Sequence, residues 1–195
     1  MASPVVRVRR WSRREYERLI DLGVFRRDER LELLDGALVV REPQNAPHAA
    51  SLRAVAEALR LAFGPGWDVR TQMPIALDDS SEPEPDVAVV AGSYRDYQRA
   101  HPSRPVLVVE VSDATLASDR RKRGVYARAG VEEFWIVNLR ERVLEVYRRP
   151  TRAPGSRFGW TYDEVRVLSA GESIAPLAAP DGFVLVDDLF PGGQP

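Results

Sequence analysis

Apolar residues recur at helical spacing in three segments of the chain, residues 13–22, 48–63 and 115–129. A glycine follows each segment directly, and Ser12, a residue type that commonly caps helix N-termini, precedes the first. The pattern therefore predicts three amphipathic helices with approximately these bounds.

Shorter apolar runs predict strands. Residues 31–40 form two β-prone runs joined at Asp35-Gly36, a dipeptide that favours a hairpin turn. Nearly continuous apolar runs, typical of strands covered on both faces, occupy residues 86–90, 106–111 and 133–137. Residues 67–75 and 144–148 also predict strands, and a weaker, strand-rich tail that contains residues 187–190 closes the chain. Because a helix separates the last two buried runs, we expect a right-handed crossover between them.

This order of elements predicts an α/β fold with a mixed central β-sheet flanked by helices, in one domain spanning residues 1–195. Hydrophobic residues make up 44% of the chain, enough for one well-packed core. The sequence contains neither a leader pattern nor an apolar run of membrane length. We therefore expect a cytoplasmic protein without a membrane partner.

The absence of cysteine excludes disulfides, thiolate zinc sites, iron–sulfur clusters and cysteine nucleophiles. With only two histidines, His48 and His101, a histidine-built metal site is also disfavoured. Any metal would be held by oxygen atoms, which favours Mg²⁺ or Mn²⁺.

The formal net charge of −1 does not indicate nucleic-acid binding. Local basic clusters at Arg7–Arg14, Arg120–Arg123 and Arg148–Arg152 either contact phosphates or form solvated faces. Of the 28 basic residues, Lys122 is the only lysine. A lone lysine among arginines is either accidental or marks a place where a compact ammonium is required.

Two carboxylates stand out by position. Asp86 opens one buried run, and Glu110 lies inside another, where a charge is costly unless it is paired or bound to metal. Neighbouring central strands would bring the two together, and they would repel each other without a cation. The alternatives are a strand-start cap for Asp86 and an ion pair with an arginine for Glu110. Lys122 and Tyr126, four residues apart on a helix, share a face that could reach this site.

A known family shows this combination of motifs. The chain resembles the Uma2 family, which is similar to the PD-(D/E)XK nuclease superfamily that includes many restriction endonucleases. The residues that carry the resemblance are Glu84-Pro85-Asp86, Val108 to Ser112, Lys122, Tyr126 and Glu133 to Asn138.

The resemblance implies an endonuclease that cleaves DNA with Mg²⁺ or Mn²⁺ and that forms a homodimer or higher homo-oligomer. It also implies that Asp86, Glu110 and the backbone carbonyl of Val111 bind the ion, while a lysine orients the attacking water and lowers its pKa. In the commonest pattern the lysine takes the place of Ser112, whereas here it is Lys122 on the following helix.

Four further residues are accessory candidates. Glu32 resembles the acidic residue that the superfamily supplies from its N-terminal part; the alternative is a surface carboxylate. His48 resembles a recurrent family histidine that either touches substrate or caps a helix. Asp119 stands three residues before Lys122 instead of the usual four, so the resemblance assigns it no definite role. Tyr126 either packs and hydrogen-bonds beside the lysine or acts as a nucleophile.

Two other functions remain open from the sequence. The chain could keep a nuclease fold as a nucleic-acid-binding or regulatory module without turnover. A glycosidase with two carboxylates would explain Asp86 and Glu110 but would leave Lys122 without a role.

Overall fold

The computed structural model describes residues 8–26, 28–41, 43–190 and 192; Arg7 of the first basic cluster lies outside them. The helices are α1 (Arg13–Asp21), α2 (Ala46–Phe63) and α3 (Leu116–Arg128), with a 3₁₀ turn at Asp187–Leu189. The strands are β1 (Leu31–Leu34), β2 (Ala37–Val40), β3 (Trp67–Thr71), β4 (Val87–Ala91), β5 (Leu107–Ser112), β6 (Glu133–Asn138), β7 (Val143–Arg152), β8 (Trp160–Leu168), β9 (Ser173–Ile174) and β10 (Val184–Leu185). Within the described ranges, no helix combines the length and apolarity needed to cross a membrane.

Six strands form one mixed sheet in the order β3-β4-β5-β6-β7-β8. Strands β5 and β6 run parallel, and every other neighbouring pair in this sheet is antiparallel. Helix α3 connects the parallel pair, because parallel neighbours need a crossover rather than a tight turn. The predicted α/β fold with a mixed central sheet is confirmed.

The sheet separates two apolar cores. Val109 and Trp135 belong to the core beneath α2, whereas Val108 and Phe134 belong to the core beneath α3. This alternation follows from the geometry of a strand, whose successive side chains point to opposite faces. The central strands therefore need apolar residues at nearly every position, as their sequences have.

The predicted hairpin is present as a separate two-stranded sheet of β1 and β2. Both turn residues have a positive φ, 49° for Asp35 and 75° for Gly36, which glycine adopts freely and aspartate tolerates. Leu33 forms a β-bridge with Glu82, in the segment that leads into β4. This bridge fixes Glu32 beside the start of β4.

Several elements differ from the predicted ones. Strand β7 extends to residue 152 instead of 148, and residues 187–189 of the predicted strand-rich tail form a 3₁₀ turn. Helix α2 begins two residues before His48, because Asn45 caps it by accepting a hydrogen bond from the His48 backbone N–H at 3.0 Å. Strand β3 ends at residue 71 instead of 75, since Gln72 has a φ of 52° and leaves the extended conformation. Asp86 lies directly before β4 and not within it.

A buried ion pair joins β6 and β7. The fully buried carboxylate of Glu133 accepts hydrogen bonds from the Arg148 guanidinium at 2.6 and 2.8 Å. It also accepts bonds from Trp135 Nε1 at 2.9 Å and from the Leu177 backbone N–H at 2.7 Å. These donors together compensate for removing the carboxylate from water.

Arg148→Met should lower the free energy of unfolding by about 3–5 kcal/mol, because it leaves the buried Glu133 carboxylate without its cation. Urea unfolding of both proteins measures this difference. Arg149→Met is the matched control, since the Arg149 side chain is 66% exposed and its ion pair with Asp163 is at the surface. The control should lose about 1 kcal/mol or less. Equal losses in the two variants would contradict the role of Arg148.

Candidate active site

The β4–β5 pair brings two predicted catalytic carboxylates to the same end of the sheet. Val87 pairs with Val109, so Asp86 and Glu110 occupy the next opposed positions of the two chains. Both residues are buried, with 4% and 3% of their surface exposed. Two buried carboxylates in one place require hydrogen-bond donors or cations nearby.

Both carboxylate oxygens of Asp86 accept hydrogen bonds. Its Oδ2 accepts a hydrogen bond from the Val111 backbone N–H at 2.8 Å and lies 3.1 Å from His48 Nε2. Its Oδ1 accepts a bond from Gln72 Nε2 at 3.2 Å, and the Arg41 guanidinium is 3.7 Å away. Burial acts to raise the pKa of Asp86, but these partners outweigh it and lower the pKa. Because the partners come from other elements, Asp86 is more than a cap of its own strand.

Glu110 contacts two residues of α3. Its Oε1 lies 3.2 Å from Lys122 Nζ and accepts a hydrogen bond from the Tyr126 hydroxyl at 2.7 Å. Burial raises the pKa of Glu110 to about 7; Lys122 opposes this rise, and the nearby carboxylate of Asp86 adds to it. The cation in contact is therefore a lysine and not the arginine considered from the sequence.

Lys122 is held between two carboxylates. Its Nζ lies 2.9 Å from Glu32 Oε1 and 3.2 Å from Glu110 Oε1, and we call this arrangement the Glu32–Lys122–Glu110 bridge. Burial favours the neutral amine, but the two carboxylates raise the pKa of Lys122 above its ordinary value. In this arrangement the raised pKa favours the charged ammonium at neutral pH, which disfavours a role as general base.

Glu32 is only 2% exposed, so the alternative of a surface carboxylate is wrong. Besides Lys122, it accepts a hydrogen bond from the Glu84 backbone N–H at 3.2 Å, because the hairpin is paired with that segment. Tyr126 is fully buried, and burial together with the charge of Glu110 raises its pKa well above the ordinary value. Tyr126 is therefore a hydrogen-bond donor in this state, which disfavours the nucleophile alternative.

The side chain of His48 contacts Asp86 and does not cap α2, whose cap is Asn45. Burial lowers the pKa of His48, but the hydrogen bond with Asp86, the charges of Asp86 and Glu110 and a hydrogen bond with the Val111 backbone raise it above the ordinary value. The positively charged form of His48 is therefore favoured beside Asp86.

Asp119 lies in the first turn of α3, and Ser112 is the last residue of β5. Asp119 is 6% exposed, accepts a hydrogen bond from Thr115 Oγ1 at 2.6 Å and has a pKa raised by burial. Ser112 is fully buried, and its Oγ has no hydrogen-bond partner among the described residues. The ammonium of the site thus comes from α3 and not from the position of Ser112.

Two residues at the site were not identified from the sequence. Arg41, directly after β2, pairs with Glu84 at 2.8 Å and approaches Asp86. Gln72 follows β3 and donates to Asp86. Arginine is too frequent in this chain for one copy to stand out, and no motif surrounds Gln72.

All of these residues surround one open cavity of about 680 Å³ or support its walls. Five carboxylates line it, those of Glu32, Asp86, Glu110, Asp113 and Asp119. The cationic or ionisable basic side chains that line it are Arg41, His48, Arg121 and Lys122. The cavity is consequently rich in negative charge and keeps some of that charge away from water.

The donor set fits a hard divalent ion. Among the described residues, no three His, Asp or Glu side chains are arranged to hold a metal by themselves. Mg²⁺ commonly takes only one or two carboxylates and fills its other positions with water and substrate phosphate. The resemblance assigns such a partial set to Asp86, Glu110 and Val111, all of which line the cavity, and the raised pKa of Glu110 indicates that added positive charge there would be favourable.

Comparison with known proteins gives the same fold. A crystal structure described as "a putative nuclease belonging to DUF820 from Anabaena variabilis ATCC 29413" superposes with a TM-score of 0.66 at 14% identity, covering 87% of this chain and 94% of that one. No curated protein sequence that was compared matches the chain. The sequence profile of the Uma2 family, described as "Putative restriction endonuclease", matches residues 13–187. Because this match covers most of the chain, the protein belongs to the Uma2 family.

Proposed function

We propose that this protein is a Mg²⁺- or Mn²⁺-dependent endonuclease that hydrolyses phosphodiester bonds of DNA. Membership of the Uma2 family supports a nuclease acting on nucleic acid. The observation that carries the proposal is the convergence of Asp86, Glu110 and Lys122 on one cavity. The superfamily resemblance assigns metal binding and water orientation to these three residues.

Asp86, Glu110 and the Val111 carbonyl would hold the ion. When bound, a divalent ion polarises the scissile phosphate and lowers the pKa of a water molecule. Asp86 is ionised for this role because its hydrogen bonds lower its pKa. The bonds from Gln72 and His48 also fix the orientation of the carboxylate, as supporting residues do at metal sites.

Lys122 acts as a fixed positive charge. Its protonated ammonium cannot accept the proton of the attacking water, so it orients that water and stabilises the negative charge that develops on the phosphate. Glu32 positions the ammonium from one side, and Glu110 does so from the other. Tyr126 in turn holds Glu110 Oε1 through its hydroxyl.

The negative charges of Asp86 and Glu110 should both be essential for cleavage. Asp86→Asn and Glu110→Gln should each abolish metal-dependent nicking of supercoiled plasmid and weaken Mg²⁺ binding, because each removes an anionic oxygen ligand at nearly constant volume. Calorimetry with Mg²⁺ and Mn²⁺ measures the binding, and gel electrophoresis follows the nicking.

Asp113→Asn is the matched control for these variants, since Asp113 lines the same cavity with 31% of its side chain exposed. It should bind the metal and nick plasmid as the wild type does. Nicking by Asp86→Asn at the wild-type rate would exclude the assignment.

Lys122→Gln should reduce nicking by about 100-fold or more, because one preorganised charge is lost. A lysine whose folded pKa lies above its unfolded value stabilises the fold at every pH below the unfolded pKa, and this contribution disappears only as the pH rises through the folded pKa. The losses of rate and stability should therefore be nearly constant from about pH 8 to about pH 9, where Glu110, with its pKa of about 7, is also ionised. Nicking rates and urea unfolding across that range measure them.

Lys122→Arg is the comparison variant, since it keeps the charge but replaces a compact ammonium with a broad fork. We expect it to nick more slowly than wild type as well. A deficit in Lys122→Gln that grew steadily with pH above about pH 8, where Glu110 stays ionised, would instead identify Lys122 as a neutral base.

One observation favours a second candidate, a nucleic-acid-binding or regulatory module without turnover. Arg41, His48 and Lys122 already compensate part of the charge of the cavity carboxylates. A site that is balanced in this way could be stable without a metal. Absence of Mg²⁺ and Mn²⁺ binding by the wild-type protein would favour this candidate over the nuclease.

Domain extent, cellular location and assembly belong to the same proposal. We infer that residues 1–195 form one nuclease domain acting in the cytoplasm, where its DNA substrate would be found. A homodimer or higher homo-oligomer would place two cavities on the two strands of a duplex. Sedimentation velocity of the full chain tests the assembly, and a purely monomeric protein with duplex cleavage would overturn it.

A further inference from the structure

A second groove, of about 210 Å³, adjoins the catalytic cavity. It lies between the outer side of α3 and residues 156–161 of the connection from β7 to β8 and the start of β8. Four arginines line it, Arg120, Arg121, Arg123 and Arg157, and we call it the arginine groove. Arg121 lines both the groove and the cavity, so the two meet at this residue.

Gly124 allows the two walls of the groove to approach. A Cβ at this position would lie 2.9 Å from a ring carbon of Phe158 and 3.1 Å from the Trp160 carbonyl oxygen. Any larger residue would therefore push the connection away from α3. The glycine, which by itself disfavours a helix interior, lets the connection pack closely and hold Arg157 beside α3.

The charge of the groove is opposite to that of the cavity. No carboxylate is among the residues that line the groove, whereas five line the cavity. Arg120 is paired with Glu145 at 2.5 Å. Within the described part of the chain, Arg121, Arg123 and Arg157 have no carboxylate within 4 Å of their guanidinium groups. Three guanidinium forks are thus available to an external anion.

We propose that the arginine groove binds the phosphodiester backbone of DNA beside the phosphate that is cleaved. The identification of the bound polymer as DNA rests on the proposed function. Guanidinium groups bind phosphate oxygens through two parallel hydrogen bonds, which both attract and orient the chain. Arg121, at the junction with the cavity, would contact a phosphate next to the reacting one, and Arg157 would contact a phosphate farther along the strand.

The test is the affinity of Arg121→Glu/Arg157→Glu for a short fluorescein-labelled DNA duplex, measured by fluorescence anisotropy in EDTA, which prevents cleavage. Affinity should fall at least about 10-fold, and the slope of log K against log salt should become shallower by about 2, one unit for each lost phosphate contact. Both side chains are exposed, so the melting temperature should change little.

Arg53→Glu/Arg104→Glu is the matched control because it makes the same change in net charge elsewhere. Arg53 is exposed on α2, on the other face of the sheet, and Arg104 is exposed before β5, at the end opposite Glu110. This control should bind DNA within about 2-fold of the wild type, since it removes no direct phosphate contact. Arg121→Lys/Arg157→Lys should keep the salt slope, because each ammonium still neutralises a phosphate, and should lose less affinity than the Glu variant, because only the two-bond geometry is lost.

The possible outcomes separate failure of the groove assignment from failure of the nuclease proposal. If the Glu variant and the control bind DNA equally well, the groove is not the binding surface, even if the wild type nicks plasmid in Mg²⁺. If only the Glu variant loses affinity and the wild type does not nick plasmid, the groove assignment holds and the nuclease proposal fails.

Discussion

The burial of the Lys122 ammonium between Glu32 and Glu110 connects three parts of the molecule that are distant in sequence. The hairpin supplies Glu32, the central sheet supplies Glu110, and the crossover helix supplies Lys122. Each charge alone would be costly at this depth, and removing one partner would leave another uncompensated. The hairpin, the sheet and α3 must therefore keep fixed relative positions, and those positions define the walls of the cavity.

The two central carboxylates of the cavity differ in a way that follows from their neighbours. Asp86 receives hydrogen bonds from the backbone of Val111 and from side chains outside its strand, and its pKa falls. Glu110 is enclosed more completely and faces other carboxylates, and its pKa rises. Opposite shifts in neighbouring acids are typical of sites where charge is used in a reaction. The same neighbourhood keeps Lys122 charged, so its contribution is electrostatic.

Negative and positive side chains are concentrated in separate regions of the protein, and the overall composition conceals this distribution. The net charge of −1 conceals a carboxylate-rich cavity and an arginine groove that meet at Arg121 of α3. A cation and a polyanion can both be attracted to one region when its negative and positive side chains are separated by only a few residues of one helix. Gly124 contributes to this separation because it lets the groove wall pack against α3.

The sequence by itself determined most of the elements, although not β8, and singled out the candidate site residues. The spacing of apolar residues predicted the helices and the central strands, and the Asp35-Gly36 dipeptide predicted the hairpin. These features depend on residues that are neighbours in the sequence. The costly position of Glu110 in an apolar run and the uniqueness of Lys122 also needed no structure. Only the tertiary structure decided that Glu32 is buried, that His48 and Gln72 hold Asp86, and that Arg121 joins two surfaces. Those facts depend on contacts between segments far apart in the chain, which no local pattern encodes.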